Sequence, residues 1–159
     1  MKKVLIPVLV ALASCSLLTS CAGLKVGPAK YVHKNPSFSI TYPSDWTKGI
    51  DPESLLFAYT GPYKLPDLRV KKATSLGSPE DSAKSLCAVL KKGSKAQTCK
   101  ILYTKKITLS DGTPAHEVYV EWRHPQVMLH STQVKAEKGK TAISAVITNM
   151  GEIDEGLKA

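Results

Sequence analysis

The chain has 159 residues, of which 43% are apolar and 22% charged, with a formal charge of +9. That length holds one domain, and the apolar share excludes a chain kept disordered by excess charge. Nearly all the positive charge is lysine; Arg69 and Arg123 are the two arginines. Base readout and bidentate phosphate capture favour arginine, so the balance argues against nucleic acid and leaves an acidic protein surface as the natural partner.

The N-terminus reads as an address. Lys2 and Lys3 form a short positive region, and Val4 to Leu18 is apolar except for Pro7, Ser14, Cys15 and Ser16. A bilayer span needs about 20 apolar residues, so this stretch fits the core of an export signal instead. Leu18-Thr19-Ser20-Cys21-Ala22-Gly23 follows and resembles the lipobox of bacterial lipoproteins. Small residues at Thr19 and Ser20 admit the peptidase, and a thiol is what accepts diacylglycerol. Leu12-Ala13-Ser14-Cys15 matches the same pattern, but it leaves an apolar core of only about eight residues. Choosing Cys21 discards Cys15 with the leader and leaves the even pair Cys87 and Cys99. The expectation is a leader over residues 1–20 and a lipidated Cys21 at the mature N-terminus. Removing the leader with its two lysines lowers the formal charge from +9 to +7. Acyl chains, at about 0.8 kcal/mol per buried CH2, would hold the domain on a membrane of the cell envelope. It would face the periplasm or exterior, with the inner leaflet of the outer membrane favoured in a Gram-negative cell.

Residues 21–35 contain Gly23, Gly27, Pro28 and several lysines without periodicity, and are expected to be a tether to a globular domain over 36–159. Phe38 to Tyr42 alternates apolar and polar residues, which predicts a half-buried strand ended by Pro43-Ser44-Asp45-Trp46. Leu55 to Tyr59 and Leu68 to Thr74 are further strand candidates. Ser78, Pro79 and Asp81 form a capping box with proline in the first turn. Ala83, Leu86, Cys87 and Leu90 then make one apolar stripe, and Gly93 is expected to stop the helix. Strands are expected over Lys100 to Leu109, Ala115 to Trp122, Val127 to Ala136 and Thr141 to Thr148, with turns at Asp111-Gly112 and Lys138-Gly139. Within Ala115 to Trp122, Val118, Val120 and Trp122 share one face while Glu117, Tyr119 and Glu121 share the other. This order is that of an α+β domain.

Phe38-Ser39-Ile40-Thr41-Tyr42-Pro43-Ser44-Asp45-Trp46 is similar to the opening of PsbP-like domains, and Leu109-Ser110-Asp111-Gly112-Thr113-Pro114-Ala115 resembles one of their hairpins. The resemblance runs from about Tyr31 to Thr148. It implies an α/β/α sandwich around an antiparallel sheet, in a family whose members include an extrinsic photosystem II subunit and bacterial lipoproteins, and which mostly bind partners rather than turn over substrates. Such domains close with a longer helix and a final strand. Here the chain ends within a helix-like Glu152 to Ala159, so either the C-terminus is truncated or the fold is abbreviated.

Cys87 and Cys99 read as a disulfide in an exported protein, the alternative being a buried free thiol at Cys87. No C-x-x-C redox motif is present. His124 and His130 flank the Pro125-Gln126 turn and could meet across a hairpin near Glu121, but the spacing is no recognised ligand signature, and His33, His116, His124 and His130 are read as surface histidines. No G-x-S-x-G, no phosphate loop and no nucleophile–base set is found. Lys71, Lys72, Lys91, Lys92, Lys105 and Lys106 read as solvated faces, and Trp46 and Trp122 as core anchors. The expectation is a noncatalytic binding or accessory module with no cofactor, no metal and no nucleic acid. The alternative is a small hydrolase or ligand-carrying protein with a pocket between sheet and helix.

Overall fold

The computed structural model describes residues 7–8, 28–61, 63–125 and 127–150. Cys21, the leader around it and the helix-like Glu152 to Ala159 lie outside the described residues, apart from Pro7 and Val8. Among the described residues no helix is long and apolar enough to cross a membrane.

The helix α1 (Pro79–Gly93) forms where the capping chemistry places it. The Asp81 backbone N–H donates to Ser78 Oγ at 3.0 Å, and the Ser78 hydroxyl donates to the Asp81 carboxylate at 2.7 Å. Glu80 and Asp81 in the first turn and Lys91 and Lys92 in the last complement the helix dipole. Ala83, Leu86 and Leu90 are buried, as their spacing requires. The stop differs from expectation. Gly93 is still helical, Ser94 is the C-cap, and the left-handed residue is Lys95, with φ of 53°.

Among the described residues ten strands accompany it: β1 (Pro7–Val8), β2 (Pro28–Lys34), β3 (Ser37–Pro43), β4 (Thr47–Lys48), β5 (Leu56–Tyr59), β6 (Asp67–Ala73), β7 (Thr98–Thr108), β8 (Pro114–His124), β9 (Val127–Lys138) and β10 (Thr141–Met150). Seven of them form one antiparallel sheet in the order β4-β5-β6-β10-β9-β8-β7. The meander β7 to β10 follows the turns at Asp111-Gly112 and Lys138-Gly139, where Gly112 and Gly139 take positive φ. β10 then inserts beside β6, so the residues of β6 meet a strand that lies far along the chain. β2 and β3 form a separate antiparallel hairpin, with β1 pairing in parallel to β3. β2 falls inside the segment expected to be a tether. Ala29 and Tyr31 pack on the core, and the Tyr31 hydroxyl donates to the Leu55 carbonyl at 2.7 Å.

The large sheet has two covered faces and two cores. On one face the β2–β3 hairpin lays Phe38, Ile40 and Tyr42 against Leu56, Leu68, Val70, Val134, Ile143 and Ala145. On the other, α1 sets Ala83, Leu86 and Leu90 against Val118, Val120, Trp122 and Leu129. Trp122 is buried and its Nε1–H donates to Ser131 Oγ at 2.9 Å, which is itself 3.0 Å from Thr148 Oγ1. Trp46 is half-buried against the first core. The architecture is α+β around an antiparallel sheet, with one helix among the described residues.

Candidate functional site

α1 packs over β7 and β8, at one end of the seven-stranded sheet. The same face of β6, β10 and β9 is left beside the helix as a groove of about 650 Å³. Small-molecule sites commonly fall in the range of about 300–1,000 Å³. Its helix wall is Leu86, Val89 and Leu90. Val89 lies off the buried stripe and is 63% exposed. The apolar floor includes Val146, Trp122 and Leu129.

The polar side of the groove follows from strand register. Asp67, Arg69 and Lys71 of β6 stand opposite Thr148, Val146 and Ser144 of β10, and Val146 and Ser144 stand opposite Gln133 and Lys135 of β9. Lys71 and Lys135 therefore flank Ser144 in one row across three strands. Gln133 Nε2 donates to Ser144 Oγ at 2.8 Å, which leaves the hydroxyl's own proton for an acceptor in the groove. Four cationic side chains (Lys64, Arg69, Lys71 and Lys135) and one carboxylate, Asp67, line the space. Arg69 Nε donates to Asp67 Oδ2 at 2.9 Å, and the guanidinium lies 4.8 Å from the Phe57 ring centroid. Asp67 is 5% exposed, and its Oδ1 is buried without a hydrogen-bond partner. Burial pushes its carboxyl up, against the opposing pull of Arg69 and Thr148.

The residues singled out in the sequence are mostly structural. Cys87 on α1 and Cys99 on β7 have sulfurs 1.99 Å apart and Cα atoms 5.7 Å apart. Asp111 accepts the Thr113 N–H at 3.0 Å and Lys138 Nζ at 2.9 Å, tying the β7–β8 turn to the β9–β10 turn. His124 and His130 are not brought together. His130 lies opposite Glu121, with its Nε2 at 3.4 Å from Oε2, whereas His124 lies opposite Val127 on the other face of the sheet. Among the described residues no group of three or more His, Cys, Asp or Glu side chains is placed to hold a metal.

His116 corrects the reading of surface histidines. It is 6% exposed, lies at the N-terminal end of α1, and its Nδ1 has no partner. Burial, with Lys106 and Lys135, holds its imidazole below the ordinary value, while Glu80 pulls the other way. Its parity with Val118, Val120 and Trp122 is the signal in the sequence that marks it as inward-facing. Lys71, read as part of a solvated face, lines the groove, whereas Lys72 is exposed and lies opposite Ile143 on the other face of the sheet.

The sheet, the helix and the hairpin together define a PsbP-like α+β fold. A solved structure that shares it is the solution structure of cyanobacterial PsbP, CyanoP, from Synechocystis sp. PCC 6803, 14% identical over 89% of this chain and 91% of that one, with a TM-score of 0.63. A crystal structure of a Pseudomonas aeruginosa protein of unknown function is 15% identical over 77% of this chain and 82% of that one, with a TM-score of 0.41. No family model and no curated protein matches the sequence.

Proposed function

We propose that the protein is a noncatalytic binding module, held on a membrane of the cell envelope through lipid at Cys21, that engages an acidic protein partner. The observation that carries this reading is the set of cations around the sheet face beside α1, where Lys64, Arg69, Lys71 and Lys135 outnumber Asp67 and the two carboxylates, Asp51 and Glu53, that pair with Arg69 and Lys71. Such a field attracts an acidic surface and sets its orientation more than it sets raw affinity. The mature charge of +7 acts in the same direction, being the formal +9 less the two lysines of the leader. Asp111 is occupied by Thr113 and Lys138, and His130 by Glu121, so the side chains first considered for chemistry already serve turns and strands.

The test is a crosslinking pulldown from membranes with the anchored protein at low and high salt. Recovery of the partner should fall as salt passes physiological strength, where the Debye length is already about 8 Å. The purified protein should show no turnover of generic ester, phosphate, peptide or glycoside substrates. A reproducible turnover removed by Asp111→Asn, His124→Gln or His130→Gln would overturn the noncatalytic reading.

The concavity itself favours a second reading, that of a ligand-carrying module. A patch that only docks a protein surface has no need of an aliphatic wall and a recess of about 650 Å³.

A further inference from the structure

The groove separates its chemistry by end. Toward the C-terminal half of α1 the lining is Leu65, Leu90, Trp122 and Leu129. Toward the β6–β10–β9 row it is Lys71, Ser144 and Lys135. The floor acceptors Asp67 Oδ1 and Gln133 Oε1 are already closed off from the space, so an apolar chain laid over them strips them of no further water. Val89 projects from the helix at the opening, an exposed aliphatic side chain on an otherwise polar outer flank.

We propose that this groove binds a single-chain amphipathic carboxylate, with its aliphatic chain along Leu86, Val89, Leu90 and Trp122 and its head on Lys71, Ser144 and Lys135. The proposal rests on the ligand-carrying reading above and names its ligand class. Charge selects the head. Lys71 Nζ already holds Glu53 Oε2 at 2.9 Å, so the uncompensated charge in the row is that of Lys135, which a monoanion balances. A carboxylate accepts from both ammonium groups and from the Ser144 hydroxyl. A phosphate monoester, near two negative charges at neutral pH, overfills that charge, and a quaternary ammonium head is repelled. Burial of the chain supplies the affinity, which should rise roughly fourfold for each CH2 taken out of water.

The test uses the lipidated protein in nanodiscs and a diazirine-bearing dodecanoate, with the labelled peptides mapped by mass spectrometry. Labelling is expected on α1 around Val89 or on the facing segments of β6 and β9. Dodecanoate should compete it away, while dodecyltrimethylammonium should not. The double variant Lys71→Glu/Lys135→Glu should lower groove labelling at least fivefold, and Lys135→Arg should retain most of what Lys135→Ala loses. Lys100→Glu, on the exposed edge strand β7, should leave labelling unchanged. An unfolding midpoint close to wild type qualifies each variant as folded. Labelling spread over other surfaces, equal competition by the cationic amphiphile, or indifference to charge reversal would overturn the proposal. Stronger competition by dodecyl phosphate would overturn the choice of head. If the probe fails while an acidic protein still crosslinks at Val89, the ligand class falls and the protein-binding reading stands.

Discussion

Reducing the Cys87–Cys99 bridge should weaken the domain and loosen the helix wall of the groove together. The bridge links the inner flank of α1 to the first residues of β7 across 12 positions. Closing a loop of that size removes about 3 kcal/mol of conformational freedom from the unfolded chain. For a domain of this length each kcal/mol moves the melting midpoint by roughly 4 °C, so reduction should lower it by about 12 °C. Comparing oxidised with reduced protein keeps every other side chain the same, which a cysteine substitution does not. The assay is thermal unfolding of the two forms followed by tryptophan emission, beside nonreducing peptide mapping. Trp122 sits on the floor under α1, so its emission should respond to reduction before global unfolding begins. The bridge ties α1 covalently to the edge strand of the sheet, so groove labelling should fall with reduction as well. Coincident unfolding curves, or both cysteines fully alkylated without reductant, would refute this reasoning.

Cys21→Ser should abolish palmitate incorporation and detergent partitioning, while Cys15→Ser changes neither; labelling that persists in Cys21→Ser would move the anchor to Cys15. Ser131→Ala should cost about 1–3 kcal/mol in chemical denaturation, because it strands the buried Trp122 N–H that Ser131 accepts at 2.9 Å. The His116 imidazole is held below its ordinary value by burial and by Lys106 and Lys135, so the unfolded chain takes up the proton first. Stability from this site is therefore present above about pH 6.5 and is lost as pH falls below it, and His116→Gln should flatten the dependence of the melting midpoint between about pH 7 and 5. A midpoint profile unchanged by His116→Gln would show that other groups set it.

What the sequence made legible was local. The helix declared itself because Ser78, Pro79 and Asp81 fix its start and Ala83, Leu86 and Leu90 fall on one stripe. The meander was readable because β8 alternates cleanly, with Val118, Val120 and Trp122 all buried. β2 was hidden because Pro28, Lys30 and Lys34, with Gly23 and Gly27 just before them, mimic a linker, although Ala29, Tyr31 and His33 alternate inward. The groove was not legible for a different reason. Lys71, Lys135 and Ser144 are far apart in sequence and meet only through the order β6-β10-β9 and its register. A single sequence carries the alternation of each strand but not which strand lies beside which.

The most direct test of the account places a photoreactive benzoylphenylalanine at position 89, on the helix lip of the groove, and a second at position 100, on the outer edge of β7. Both are introduced into the full lipidated chain and illuminated in intact membranes at low and high salt. A defined adduct is expected from position 89 that weakens with salt and with Lys71→Glu/Lys135→Glu, and none of comparable yield from position 100. Equal adducts from both positions, or a position 89 adduct indifferent to salt and to charge reversal, would contradict it.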